Sequence, residues 1–230
     1  MVTALFLSHL VGDYILQWDR LARWKARELS GVLVHGAVVQ ATTLLFTLPF
    51  NPDWWPWAVF VGVTHMLIDT LPLSVGKHVH PFAWFVLDQA AHLVIIMIAL
   101  TATGYLGLST LVSDLILALM SDRLLAFTLG YAFLTMPAWV VVEFIVYALV
   151  RGSGPDFTEV PNKYLGSLER GLITTFVLLG QFTLVPLVTL PRLVFDRPQA
   201  MNGQRTTLYV AELLTSVGLA VMIGLGLRRL

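Results

Sequence analysis

Apolar runs, each about the length needed to cross a lipid bilayer, follow one another along almost the whole chain. A transmembrane helix needs about 20 consecutive, mostly apolar residues. The composition agrees, because the 230 residues are 57% hydrophobic and only 12% charged, with a mean hydropathy of +0.79. Such a chain is too apolar for an ordinary soluble domain. The sequence therefore predicts an all-α, polytopic transmembrane helix bundle.

Polar residues and prolines between the apolar runs mark the ends of the expected spans. We predict about seven spans, within a range of six to eight, at 1–17, 30–50, 56–75, 82–103, 124–150, 170–195 and 206–227. The stretch 108–123 is short and interrupted, so we assign it to an interfacial or re-entrant helix. Gly180, Pro186 and Pro191 interrupt the span 170–195, which we expect to kink or break. An N-out/C-in orientation places ten of the fourteen lysines and arginines inside, in agreement with the positive-inside rule.

The connections between the runs are too short for a separate soluble domain. We expect a four-helix membrane core at 1–105 and further membrane helices of the same bundle at 106–230. The first run has no basic n-region and no small-residue cleavage site, so we expect a retained helix rather than a signal peptide. The formal net charge is zero and cysteine is absent, which argues against nucleic-acid binding, disulfides and thiolate metal ligands.

Histidine–aspartate pairs with a spacing of four residues occur in three of the apolar runs. The pairs are His9 with Asp13 in "HLVGD", His65 with Asp69 in "HMLID" and, in reversed order, Asp88 with His92 in "DQAAH". Residues four apart lie on one face of a helix. The reversed pair lies in a run expected to cross in the opposite direction, so all three aspartates reach a similar depth, roughly 6–9 Å from the inner end at 1.5 Å per residue. With His35 near the same level, four helices are predicted to form one polar layer in the inner leaflet.

This polar layer predicts a divalent metal site. Imidazole and carboxylate ligands suit Zn, Mn or Fe, and the ion's charge offsets the cost of burying carboxylates. The predicted ligands are His9, Asp13, His35, His65, Asp69, Asp88 and His92. Asp13 and Asp69 are also the candidate catalytic residues, since a spare carboxylate can take a proton. Two alternatives stay open, a metal-free network that fixes helix packing and a proton or ion pathway.

Four segments together resemble the bacterial integral membrane proteins grouped as domain of unknown function 3307. These segments are "HLVGDYILQWD", "LVHG", "HMLID" and "FVLDQAAH". The resemblance covers about the first 100 residues, and "GSLERGLITTFVLLGQ" and "AELLTSVGLAVMIGL" are similar to the C-terminal part of longer members. It implies that the seven predicted ligands coincide with the family's polar positions and that the protein lies in the bacterial inner membrane. Those members are expected to carry polar or basic residues in the sixth predicted span, 170–195. This chain has "LVPLVTLPRLVF" there.

Two functions are consistent with these patterns. The first is a metal-dependent hydrolase that acts on a lipid phosphate or another amphiphilic ester at the inner leaflet; a weaker likeness to small membrane proteins described as metal-dependent hydrolases points the same way. The basic segment 20–27 would attract an anionic headgroup. The second is a non-catalytic accessory or structural subunit of a larger complex, with membrane lipids and other membrane subunits as its partners.

Overall fold

The computed structural model describes residues 1–74, 80–150, 163–195 and 203–230. These parts of the chain are helical apart from short connections and contain no strand, which confirms the predicted all-α class. The chain forms two compact units, Met1–Ala132 and Phe133–Leu230.

Seven α-helices begin in unit one. They are α1 (Val2–Leu10), α2 (Asp19–Lys25), α3 (Leu29–Thr47), α4 (Trp55–Ser74), α5 (Pro81–Ala102), α6 (Leu111–Ser121) and α7 (Arg123–Leu134). A π-helical turn, Val11–Ile15, extends α1, and a 3-10 turn, Pro52–Trp54, precedes α4. Unit two contains α8 (Met136–Val150), α9 (Lys163–Leu178), a 3-10 turn at Phe182–Leu184, α10 (Val185–Phe195) and α11 (Gly203–Arg228).

Three of the described helices are long and apolar enough to cross a membrane. These are Leu29–Thr47, Pro81–Ala102 and Thr206–Arg228. The pair α6 and α7 would be a fourth if it forms one span, although its two halves are bent by 101°. Helix α4 is 20 residues long but is not in this set, and it carries Pro72 as well as His65 and Asp69. The described helices thus support a membrane protein with at least three candidate spans.

Two of the predicted continuous spans are broken in the structure. The predicted span 124–150 is divided at Thr135 into α7 and α8. The predicted span 170–195 is divided near Gly180, whose φ of +73° lies in the left-handed region that favours glycine after a helix. A break in this span was expected from Gly180, Pro186 and Pro191; it falls at the glycine, while Pro191 lies inside α10. Hydropathy does not register these breaks, because the chain stays apolar on both sides.

The helices that carry the His/Asp pairs pack on one another in unit one. Helix α3 contacts α1, α2 and α4, and α5 contacts α4 and α1. Beyond the pairs lies an apolar core that includes Leu5, Ala58, Ile96 and Leu100, all nearly inaccessible to solvent. The core holds the four helices together and leaves the polar residues at one side of it.

Two glycines bring the flanking segments close to α3. A Cβ on Gly12 would lie 2.6 Å from Thr42 Oγ1 and 3.2 Å from Val39 Cα, so the π-helical turn that carries Asp13 needs glycine to reach α3. A Cβ on Gly31 would lie 2.4 Å from the carbonyl carbon of Trp24, so the end of α2 also rests directly on α3. These two contacts determine where the π-helical turn and the end of α2 meet the bundle.

Candidate metal centre

The seven predicted ligands come together inside unit one. His9 lies on α1, Asp13 on the π-helical turn, His35 on α3, His65 and Asp69 on α4, and Asp88 and His92 on α5. Six of them are buried, whereas the side chain of Asp88 is 19% exposed. Four separate segments of the chain therefore converge on one polar cluster, as the spacing predicted. The roles of these residues as ligands remain a prediction.

Asp13 and Asp69 form the centre of the cluster, and two imidazoles connect them. His35 Nε2 lies 3.1 Å from Asp13 Oδ1 and 3.4 Å from Asp69 Oδ2. His65 Nδ1 lies 3.3 Å from Asp69 Oδ2, and His65 Nε2 lies 3.7 Å from Asp13 Oδ1. Each of these histidines thus faces both carboxylates.

The pair on α5 joins the cluster from its edge. His92 Nε2 lies 3.8 Å from Asp69 Oδ1, and His92 Nδ1 lies 3.7 Å from Asp88 Oδ2. Gln89 donates hydrogen bonds from Nε2 to Asp88 Oδ2 at 3.0 Å and to Asp13 Oδ2 at 3.3 Å. Asp88 is therefore linked to Asp13 through the Gln89 amide.

Three histidine rings face one another on the core side of the cluster. The ring centroids of His65 and His92 are 4.0 Å apart, and His9 lies 5.8 Å from His65 and 5.6 Å from His92. A cavity of about 10 Å³ touches all three rings together with Ser8 and Thr43. Its volume is comparable with that of one water molecule.

Several buried polar atoms of the cluster lack a hydrogen-bond partner. They are both ring nitrogens of His65 and of His92, His35 Nδ1 and Asp69 Oδ2. The contacts of 3.3–3.8 Å between these atoms are within ionic distance but do not have hydrogen-bond geometry. An unsatisfied buried polar atom costs about 1–3 kcal/mol, so a cluster of them is unusual without a further partner.

The spacing of these atoms fits ligands arranged around a metal ion. Three groups have ligand atoms that all lie within 4.8 Å of one another: His9, Asp13 and His65; His35, His65 and Asp69; and Asp69, Asp88 and His92. Two ligands at about 2.1 Å from a tetrahedral ion are about 3.4 Å apart. Within these groups the histidine–aspartate separations given above are 3.3–3.8 Å, which is close to that value. The donor set and its geometry therefore suit a divalent ion.

A lysine that the sequence analysis did not select also enters the cluster. Lys25 Nζ donates a hydrogen bond to Asp69 Oδ1 at 3.0 Å and lies 3.5 Å from Asp13 Oδ1. Burial by itself lowers the pKa of Lys25, but Asp13 and Asp69 outweigh this effect and raise the pKa above its ordinary value, so Lys25 is a cation.

From the sequence, Lys25 is expected among lipid headgroups, as part of the basic segment 20–27. The short connection between α2, which ends at Lys25, and α3, which begins at Leu29, could have indicated that Lys25 lies near the His/Asp layer.

A separate buried charged cluster lies in unit two. Arg192 contacts Glu169 at 3.3 Å and forms a short ion pair with Glu212. Arg170 donates from Nε to the carbonyl of Leu134 at 2.8 Å and from Nη1 to Ser216 Oγ at 3.4 Å. These charges are matched by partners within unit two, which indicates a role in helix packing.

The fold and the site define a class of protein: a helical membrane protein with a buried histidine and aspartate layer carried by several helices. The chain belongs to the DUF3307 family of proteins of unknown function, whose family model matches residues 1–119. This confirms the resemblance seen in the sequence, and the matched region contains all seven predicted ligands and Lys25. No curated protein and no solved structure matches the chain.

Proposed function

We propose that the His/Asp cluster binds a divalent metal ion, Zn, Mn or Fe, and that the bound form is the functional one. The observation that carries the proposal is the set of buried imidazole nitrogens without hydrogen-bond partners, spaced like ligands around one ion. All seven predicted ligands lie within 1–105, so this core carries the proposed function. The family gives no activity, and the chemistry of the site has to carry the assignment.

The proposed setting is the bacterial inner membrane, with seven spans and an N-out/C-in orientation. Helix α2 then lies at the inner interface, and its arginines Arg20 and Arg23 are exposed. Basic residues on an interfacial helix favour the cytoplasmic side and anionic headgroups. In this setting the layer next to Lys25 lies nearer to the inner leaflet than to the outer one.

The proposed reaction is hydrolysis of an amphiphilic ester such as a lipid phosphate. The His/Asp side chains would hold the divalent ion, which would supply an activated water as the nucleophile. Asp13 and Asp69 are positioned to take up the proton, and His35, in contact with both, holds their orientation. Beside α2 an open groove is lined by Trp18, Arg20, Leu21 and Trp24. Its aromatic and basic side chains suit an amphiphile with an anionic headgroup.

Metal content tests the binding proposal directly. Gently purified protein, without chelator, is analysed by inductively coupled plasma mass spectrometry beside His65→Ala, Asp69→Ala and the control His80→Ala. His80 is exposed at the start of α5, so its loss leaves the cluster intact. We expect near-stoichiometric metal in wild type and in the control, and its loss from the other two variants in folded form. Metal-free, folded wild type would contradict the proposal.

Turnover is tested separately, in vesicles that contain fluorescent phospholipids with different headgroups. We expect metal-dependent release of product by wild type and none by Asp69→Asn, which keeps the side-chain shape. Equal turnover by this variant would rule out the reaction as proposed, even if metal binding is confirmed.

A non-catalytic role in a membrane complex is the second candidate. Helix α6 is apolar but has no buried residue, and Leu108, Val112 and Leu117 are 85%, 69% and 62% exposed. Lipid or a neighbouring membrane protein would cover such a surface. Co-purification of a stoichiometric partner, lost when Val112 and Leu117 are changed to serine, would favour this function. A monodisperse, metal-loaded protein with no partner would count against it.

A further inference from the structure

Lys25 lies between two groups of potential metal ligands that share no residue. Its Nζ is 3.5 Å from Asp13, which belongs with His9 and His65, and 3.0 Å from Asp69, which belongs with Asp88 and His92. Because these two groups are disjoint, the side chains alone would allow one ion in each. The ammonium group touches one carboxylate of each group.

The formal charges of the layer argue for a smaller number of ions. Asp13, Asp69 and Asp88 carry three negative charges, Lys25 carries one positive charge, and histidine binds metal in its neutral form. One divalent ion makes this set neutral, whereas two would leave an excess of two positive charges; without Lys25 the sums would be −1 and +1, so charge would no longer oppose a second ion. Unbalanced charge is costly in a buried, low-dielectric site.

We infer that Lys25 is a built-in counter-cation that takes the place of a second metal ion, so that the layer holds a single divalent ion. The inference rests on the proposed metal site and goes beyond it by assigning the number of ions and the residue that limits it. The single ion therefore acts on its substrate without a second metal, and the ammonium group supplies the remaining positive charge next to Asp69.

The end of α2 is built to deliver this charge. Gly31 lets the backbone at Trp24 and Lys25 lie directly against α3, since a Cβ on Gly31 would be 2.5 Å from the backbone nitrogen of Lys25. The Lys25 side chain is mostly buried, with 20% of its surface exposed, whereas Arg23 on the same helix α2 lies on the surface. Arg23 therefore provides a matched control in which a positive charge is removed from α2 but not from the layer.

The test counts Mn²⁺ bound by the full-length protein in lipid nanodiscs. Wild type, Lys25→Met, Lys25→Gln, Lys25→Arg and Arg23→Gln are dialysed to equilibrium with Mn²⁺ and analysed for metal per chain. Electron paramagnetic resonance then distinguishes isolated Mn²⁺ from a magnetically coupled pair. The glutamine variant is included because its amide can still donate to Asp69 if folding depends on that hydrogen bond.

We expect one isolated Mn²⁺ per chain in wild type, Lys25→Arg and Arg23→Gln, and close to two, with a coupled signal, in Lys25→Met and Lys25→Gln. Two ions in wild type, or one isolated ion in both neutral variants, would overturn the inference and leave the metal site itself standing. If no folded sample binds Mn²⁺, and none binds Zn²⁺ or Fe²⁺ in the same dialysis, the proposed function is overturned and this inference with it.

Discussion

Replacing Lys25 by methionine should destabilise the metal-free protein. In that state Lys25 is the cation in contact with the buried carboxylates of Asp13 and Asp69, at 3.5 and 3.0 Å. Methionine has a similar length and fills the same space, but it removes the charge and the hydrogen bond to Asp69. The change therefore isolates the electrostatic contribution of Lys25 from its packing.

The size of the effect follows from the burial of the two carboxylates. Removing one partner of a buried ion pair costs about 3–5 kcal/mol, because the remaining charge is left without compensation. The Lys25 side chain is 20% exposed, so water already screens part of the interaction and we expect the lower end, about 3 kcal/mol. This corresponds to a change of more than about 100-fold in the unfolding equilibrium.

Bound metal should reduce this loss. The ion supplies positive charge to the same carboxylates, so the difference between wild type and Lys25→Met should shrink as Zn²⁺ or Mn²⁺ is added. The assay is reversible unfolding in mixed micelles, first with chelator and then at saturating metal. Arg23→Met is the control, with an expected change within about 0.5 kcal/mol for an exposed side chain. The reasoning is refuted if Lys25→Met is as stable as Arg23→Met in chelator, or if metal leaves its deficit unchanged.

Three further substitutions test individual features of the fold. Gly12→Ala should move the turn that carries Asp13 away from α3, lower the stability by about 1–3 kcal/mol and weaken metal binding in a dialysis assay. The control Gly218→Ala, whose added Cβ meets open space, should change neither stability nor metal binding. Equal metal affinities of the two variants would contradict this prediction. Gly180→Ala should lower the stability by about 1–2 kcal/mol in micelle unfolding, because φ there is +73°, and an unchanged melting temperature would argue against a left-handed residue. Arg192→Met should destabilise the protein by about 3 kcal/mol, because Glu169 and Glu212 lose their cation. Adding Glu169→Gln should restore part of this stability, and a double-mutant cycle with purely additive effects would disprove the coupling.

The convergence of the His/Asp pairs was predictable because helix geometry constrains it twice. A four-residue spacing puts His65 and Asp69 on one face of α4, and the reversed order of Asp88 and His92 on α5 matches helices of opposite direction. The structure bears this out, with contacts between the two pairs. Depth along a helix does not determine lateral distance, however, so the position of Asp88 at the edge of the cluster rather than at its centre could not be deduced.

The missed features depend on tertiary contacts that hydropathy does not encode. In the sequence, Lys25 cannot be distinguished from the other basic residues of an interfacial segment. Only the close contact between the end of α2 and Gly31 directs its side chain inward. The break at Thr135 lies within a run that remains apolar on both sides, so a count of spans from composition reads α7 and α8 as one helix.

The hydrogen bonding of the cluster favours a metal site over the two other functions that the sequence left open. A network that only fixes helix packing should satisfy its own polar atoms, yet both nitrogens of His65 and of His92 are buried without hydrogen-bond partners. A proton or ion pathway should continue beyond the layer, whereas the cavity at these histidines has a volume of only about 10 Å³ and is lined in part by Leu5 and Ile96 of the apolar core. An ion at the cluster would give one nitrogen of each of these rings a partner, and it needs no route through the rest of unit one.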